Sequence, residues 1–384
     1  GMAGFGTAVA IPAAILISLG FRPVFSALVS LIANSVPTAF GAVGVPVIVL
    51  AQETGLPVIP LSTAVVLQLS VLMLLVPFVI TFLADPRLKA LPKNLLLSLS
   101  VGVVSLVAQY LAAHYIGAET PAIIGSIAAI IVIILLGKLI DRGKEKPAGM
   151  IYSGGEIARA WMVYVLIMAL VLVTSPLFPV IREALQSVLV STVHITIRGE
   201  VKVYTIQWLI QGGVLLFIGS FVGGLIQGGK AGALLVLLWR SVVQLRKTIV
   251  TVICLVGFSS IMETSGMINQ LAVALAAATG ALYPLFAPMI GALGTFLTGS
   301  DTSANILFGK LQAGVAAHTG VDPTWLSAAN TAGATGGKII SPQSIAIATS
   351  ACDQQGQEGS ILKAAIPYAL AYVIIAGVVV YLFA

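Results

Sequence analysis

From Ser62 to Ala84 the chain covers a bilayer's thickness without one charged side chain. A helix needs roughly 20 apolar residues to cross the hydrocarbon, and in lipid its backbone groups must all be satisfied internally. Comparable runs occupy 94–116, 120–140, 160–178, 205–227, 248–265 and 362–383, and 268–298 holds another, interrupted by Gly280, Pro284 and Pro288. Of 384 residues, 59% are hydrophobic and 8% charged, against about 25% charged in soluble domains. Lipid must therefore solvate much of this chain. The short alternating segments of a membrane barrel are not found. The expected fold is an all-α polytopic membrane protein forming one domain over 1–384, with the spans of 62–265 as a scaffold.

The net charge of +6 does not point to nucleic acid, because the basic residues sit in short loops between apolar spans. Loops 85–93, 138–159 and 228–247 carry twelve Lys and Arg, whereas the opposing stretch 179–204 carries Arg182, Arg198 and Lys202. The positive-inside rule puts the first three in the cytoplasm. Segment 231–247, rich in Leu but basic at its end, reads as an amphipathic helix at that interface or a plain linker helix. Cys254 and Cys352 make no disulfide framework. Residues 1–18 already read as an apolar helical stretch, with neither the charged start nor the cleavage site of a signal peptide; because the sequence starts inside an element, further sequence upstream is expected.

Two regions, 1–57 and 291–351, are apolar on average but cut up by Gly, Pro, Ser, Thr and Asn. They resemble each other. "IANSVPTAFGAVGVP" and "AANTAGATGGKIISP" share Ala33/Ala329, Asn34/Asn330, Ser35/Thr331, Gly41/Gly337 and Pro46/Pro342, all at an offset of 296 residues. Upstream, "GFRPVF" matches "GVDPTW" after a four-residue shift. This is an internal repeat, with cores at 1–57 and 268–351 and a final span at 362–383. Glycine runs weaken helices by about 1 kcal/mol per residue, and Pro favours a helix's first turn. Each copy therefore reads as helix, unwound stretch, helix, with breaks or re-entrant turns at mid-membrane. The two repeats are expected to be inverted, with Asn34 and Asn330 close together beside their breaks.

Paired broken helices mark transporter binding sites. Half-helix N-termini suit an anion, and Lys338 would add a full charge unless it snorkels to an interface. Asn34, Ser35, Thr38, Asn330, Thr331, Lys338, Ser341 and Gln343 are the expected substrate-binding residues, their hydroxyls and amides able to bond a carboxylate and a hydroxyl. In "TGSDTSANILFGKLQ", Asp301 stands where Ser300 could cap the helix alone, although a charge in mid-membrane costs about 3 kcal/mol. Asp301 is therefore the leading proton-coupling candidate, with Glu263 second and Glu53 weaker. The other reading is a cap at the membrane surface. Ser300, Thr302, Ser303 and Asn305 would support it. "GLIQGGKA" fails as a phosphate loop because Ala231 stands where Ser or Thr must hold magnesium. His114, His194 and His318 are isolated, and no serine elbow occurs. No catalysis, metal or cofactor is expected.

At "TGSDTSANILFGKLQ" and "AANTAGATGGKIISPQSIAIA" the sequence resembles the L-lactate permease family, as it does at "GMAGFGTAVAIPAAILISLGF" and "LIANSVPTAFGAVGVPVIVLA". The resemblance covers nearly the whole chain. It implies a bacterial inner-membrane symporter that moves L-lactate, and often glycolate, with protons. Family members carry further spans before the "GFG" stretch and a glutamate just ahead of it. This chain begins inside that motif, so the glutamate is not carried over. Sodium in place of the proton, or an anion channel, would fit the same residues.

Overall fold

The computed structural model describes residues 7–140, 153–197 and 200–384. The first six residues of the opening motif, Arg142, Lys144 and Lys146 of the second basic loop, and Arg198 lie outside them.

Three short helices come first: α1 (Thr7–Ser18), α2 (Pro23–Ser35) and α3 (Val45–Thr54). Pro23 starts α2 and Pro46 lies in the first turn of α3, where a missing N–H costs nothing. Between them the chain makes a 3-10 turn at Val36–Ala39, then passes through positive φ at Gly41, Val43 and Gly44. This is the expected helix, break and helix of the first repeat. Gly44 also has no room for a side chain. A Cβ there would lie 2.5 Å from the carbonyl carbon of Ala118.

Long helices follow: α4 (Val58–Ala84), α5 (Leu91–Tyr115), α6 (Pro121–Ile140) and α7 (Gly154–Val173). Local signals mark some of their ends. Asp85-Pro86 ends α4, and Ser153 and Glu156 form a reciprocal capping box at the start of α7. The outer faces are apolar. On α6, Ile130, Ile131, Ile134 and Leu135 are about half exposed, a surface that suits lipid rather than water.

The stretch after α7 departs from expectation. Following α8 (Pro179–Ser187), residues Val190–Ile197 (β1) and Glu200–Gln207 (β2) form an antiparallel hairpin with Val193 opposite Tyr204. Among the described residues this hairpin is the one departure from an otherwise helical fold, which is consistent with an all-α polytopic membrane protein. Alternating Val, Thr and Ile favour a strand over a helix. The hairpin takes the first residues of the span expected at 205–227 and leaves α9 (Gly212–Ile226), too short to cross alone. α10 (Ala231–Gln244) and α11 (Arg246–Thr264) follow, and the span expected at 248–265 qualifies only as a pair with α10, bent by 52°. Then come α12 (Met267–Thr279), α13 (Tyr283–Thr298), α14 (Asp301–Thr319), α15 (Pro323–Ile340), α16 (Pro342–Ala351) and α17 (Glu358–Leu382). Among the described residues, six helical stretches are long and apolar enough to cross a membrane, or seven with the bent pair. The protein is a multi-pass membrane protein.

The second repeat corrects another expectation. Its glycine run is not unwound: α15 continues through Gly333, Gly336 and Gly337 and ends only at Ser341. Asn330 therefore lies inside an unbroken helix rather than beside a break. The glycines serve close packing instead. A Cβ on Gly333 would sit 2.5 Å from the Cα of Pro288, and one on Gly337 2.8 Å from the carbonyl carbon of Ala292. Small residues let helices α13 and α15 touch backbone to backbone, the usual device in lipid. The break falls one step later. Extended Ser341 caps α16 by accepting from the Ser344 amide, and Pro342 opens the helix.

The core gathers around these broken helices. Leu31 of α2, Leu50 of α3, Leu61, Leu69 and Leu72 of α4, and Ile339 of α15 are buried together. α14 packs against α3, and α1 packs against α16, so two three-helix units, α1–α2–α3 and α14–α15–α16, pack on each other.

Candidate functional site

A cavity of about 1110 Å³ is lined by α1–α3 and α14–α16, and also by Ser126 of α6, Thr205 and Ile206 of β2, and Thr251, Val256 and Ser260 of α11; it is large enough for a small organic ligand and its water. Three helix N-termini reach it: Val45 and Pro46 of α3, Ser300 to Ser303 at α14, and Gln343 and Ser344 of α16 line its wall. Each carries a partial positive charge.

The last turn of α2 supplies Asn34 and the break after it supplies Thr38. Thr38 donates to the Ser35 carbonyl at 2.6 Å and its hydroxyl also meets Asp301. Ser35 itself is buried behind the wall, bonded to the Ile32 carbonyl at 2.7 Å.

The turn between α13 and α14 brings the charges. Gly299 takes a left-handed conformation, φ 72°, that lets the chain reverse. Ser300 then caps α14 by accepting from the Ser303 amide at 3.3 Å. Capping is thus done by Ser300, and Asp301 is not the cap. Asp301 is 4% exposed, lines the cavity, and accepts from Thr295 at 3.3 Å. Thr302 and Ser303 share the wall. Lys338, from the last turn of α15, reaches across to the Gly299 carbonyl at 2.8 Å, and its charge acts on Asp301. Gln343 packs on Gly299, where an added Cβ would lie 2.8 Å from that of Gln343.

Other expected residues lie behind the wall. Asn330, Thr331 and Asn305 are fully buried and do not line the cavity. Asn330 donates to the Asn305 side chain at 2.9 Å and to the Ala304 carbonyl at 3.1 Å. Asn305 donates to Thr331 and to the Pro46 carbonyl, each at 3.0 Å. Gln312 and Tyr283 complete this network. Its polar groups satisfy one another, so it is built to hold the two units together, Pro46 on one side and Thr331 on the other. Ser341 is likewise a buried cap, bonded to Ser344 at 2.8 Å.

Glu263 does not reach the wall. It binds Lys310 of α14 at 2.8 Å, and Lys310 binds Glu53 at 3.0 Å. Lys310 and Glu53 do line the cavity. Lys310 escaped the sequence reading, although a lysine in an apolar helix nine residues past Asp301 was a usable signal. Glu119 also escaped it. In the turn between α5 and α6, against the first break, burial raises its carboxyl above the usual range and Arg182 partly opposes that.

The L-lactate permease family profile matches residues 1–384. An L-lactate permease of Streptococcus iniae is 44% identical over 85% of this chain and 69% of its own length. An L-lactate permease of Bacillus subtilis is 32% identical over 100% of the chain and 75% of its own. The glycolate permease GlcA of Escherichia coli is 32% identical over 99% and 74%. No solved structure matches. These relatives are permeases, not enzymes, and the chain belongs to the L-lactate permease family.

Proposed function

We propose that this chain takes up L-lactate or a related small 2-hydroxymonocarboxylate by proton symport. The observation that carries the reading is the meeting of Lys338, Asp301 and three helix N-termini on one cavity. Lys338 and the amides at Thr302 and Gln343 face where a carboxylate would sit, and the side chains of Asn34, Thr38 and Gln343 can bond the 2-hydroxyl. A charge-assisted bond is worth about 1.5–3 kcal/mol and each helix terminus about 0.3–1 kcal/mol. That suffices for a substrate that must also leave.

Asp301 supplies the coupling. A buried carboxylate repels an incoming carboxylate, and a proton on it removes the repulsion. Substrate and proton then favour each other, as linkage requires of a symporter. Thr38 ties Asp301 to the first break, so its charge state bears on both units.

The units α1–α2–α3 and α14–α15–α16 act in this reading as inverted repeats, supported by the shared 296-residue offset and their mutual packing. The helices between them form the scaffold. The protein sits in the bacterial inner membrane with loops 85–93, 138–159 and 228–247 in the cytoplasm.

The test is uptake of labelled L-lactate and glycolate into proteoliposomes under imposed pH or sodium gradients. Accumulation driven by the pH gradient alone is expected. Accumulation only with sodium would replace the coupling ion, and flux that never exceeds equilibrium would make the protein a channel.

A further inference from the structure

A buried tyrosine joins the two units from a helix outside both. Tyr372 of α17 is 4% exposed, and α17 packs on α2 and on α15. Its ring lies against Gly336, where an added Cβ would come 2.8 Å from the ring's Cδ1. Its hydroxyl is 2.9 Å from that of Thr335 on α15, and it also interacts with the side chain of Ser35 at the end of α2. One phenol thus meets a hydroxyl of each unit.

The hydrogens decide who donates, because a hydroxyl has one to give. Thr335 gives its own to the Ala332 carbonyl and Ser35 gives its own to the Ile32 carbonyl, each at 2.7 Å. Both are therefore acceptors toward Tyr372, whose single hydrogen can serve one of them at a time. The same shortage recurs at Thr38. Its hydrogen is claimed by the Ser35 carbonyl at 2.6 Å and by Asp301. An ionised Asp301 draws that hydrogen to itself, since bonds to charged groups are the stronger ones. A protonated Asp301 is itself a donor to Thr38, and Thr38 then keeps its bond to Ser35. The charge of Asp301 acts on the Tyr372 hydroxyl as well.

Few other charges compete. Helices α2, α4, α13, α15 and α16, which pack on α17, carry Lys338 as their one charged side chain, and on α17 itself Glu358 and Lys363 lie more than two turns from Tyr372. The other titratable groups on these helices are the phenols Tyr283, Tyr368 and Tyr381. Around Asp301, α15 brings Lys338; Glu53 of α3 and Glu263 of α11 bind Lys310, nine residues along α14. His318 lies farther along α14, and Arg246 and Lys247 start α11.

We propose that Tyr372 is a positioning residue for coupling, whose hydroxyl passes between Ser35 and Thr335 and so links the turn holding Thr38 against Asp301 to α15 of the second unit. It rests on the transport reading and deepens it. An ionised Asp301 takes the Thr38 hydrogen from the Ser35 carbonyl and draws the phenolic hydrogen to Ser35, away from Thr335. A protonated Asp301 releases both, and Tyr372 holds Thr335. The state of the carboxyl is then felt on α15 one turn before Lys338.

The test measures lactate and proton entry together, in proteoliposomes that hold a pH indicator and receive an inward L-lactate gradient, after subtraction of protein-free liposomes. The readout is the ratio of protons to lactate. A merely structural lesion lowers both fluxes and leaves their ratio in place. Tyr372→Phe keeps the ring against Gly336 and strands no donor, since Ser35 and Thr335 still bond their own carbonyls, so it should melt close to the parent. The share of lactate that enters without a proton is expected to rise about two- to tenfold, the worth of one neutral hydrogen bond. Thr335→Val should act alike, whereas Thr335→Ser, which retains the hydroxyl, should keep the parent's ratio. This pair gives the reading by itself should Tyr372→Phe fold poorly. The parent's ratio in Tyr372→Phe and Thr335→Val, or an equal fall in Thr335→Ser and Thr335→Val, overturns the role of Tyr372 and leaves a coupled parent a symporter. A parent that moves lactate without protons, or moves none, removes the transport reading and the role of Tyr372 with it.

Discussion

Gly333 and Gly337 decide between two accounts of the second repeat. If they gave the chain freedom to unwind, alanine there would favour helix, as it does in any open helix, by about 1 kcal/mol. In the structure they are contact surfaces. A Cβ on Gly333 would approach the Cα of Pro288 to 2.5 Å, and one on Gly337 would approach the Ala292 carbonyl carbon to 2.8 Å. Real Cβ atoms stay beyond about 3.0 Å, and the atoms met are backbone, which cannot rotate away. α13 and α15 would have to part. Overpacking of this kind costs about 1–3 kcal/mol, and contact with two backbones puts Gly333→Ala at the upper end. Gly257 of α11 is the control, since a Cβ there meets nothing within 4 Å. Thermal unfolding followed by tryptophan fluorescence at one scan rate should show Gly333→Ala and Gly337→Ala melting lower and Gly257→Ala melting level or higher. Gly337→Ala should also weaken uptake, because Lys338 is the next residue and would be drawn off the Gly299 carbonyl. A Gly333→Ala protein as stable as Gly257→Ala would refute the packing account.

Lys338→Gln should raise the half-saturation concentration for lactate about 10–150-fold, the worth of one charge-assisted bond, with melting little changed; an unaltered value would leave Lys338 a purely structural tie to Gly299. Asn305→Ala should lower the melting temperature through the groups left unpaired at Pro46 and Thr331, at about 1–3 kcal/mol for each; a neutral result would mean that water replaces the amide. Burial raises the Glu119 carboxyl, so its charged form is disfavoured in the folded state. That penalty is absent below the ordinary carboxylate range and grows as pH rises through the shifted value. Glu119→Gln should therefore stabilise the protein at about pH 8 and do nothing at about pH 4, and an equal effect at both would contradict the assignment.

The spans were legible because lipid leaves few alternatives. A run such as 62–84 can only be a helix, and Asp85-Pro86 can only end it. The site was legible in part. Ser300 showed that Asp301 was not needed as a cap, and Lys338 before Ser341-Pro342 marked a charge at a helix start. Asn330 and Thr331 were misplaced because the two repeats match in sequence but break at different points. Ser35 is followed at once by Val36-Pro37 and the turn, whereas Thr331 is followed by nine more helical residues. Glycine caused that difference. In the first copy Gly41 and Gly44 take positive φ, and in the second the same residue type is a flat face for α13. Sequence carries no mark separating these uses, since the partner helix decides. The hairpin at 190–207 was missed because 179–204 was read as a connecting loop and 205–227 as a span, while the alternation of Val, Thr and Ile signalled strands.

Asp301 bears the central claim, and its neutral isostere tests it most directly. Asp301→Asn keeps the size of the side chain and its place beside Thr295 and Thr38 while holding it in an uncharged form. The measurement compares two modes in one preparation of proteoliposomes: exchange of labelled against unlabelled L-lactate, and net accumulation driven by a pH gradient. Exchange needs the site and the conformational cycle but no net proton movement. The account predicts that Asp301→Asn exchanges lactate and does not accumulate it. Proton-driven accumulation at the parent's level by Asp301→Asn would contradict the account.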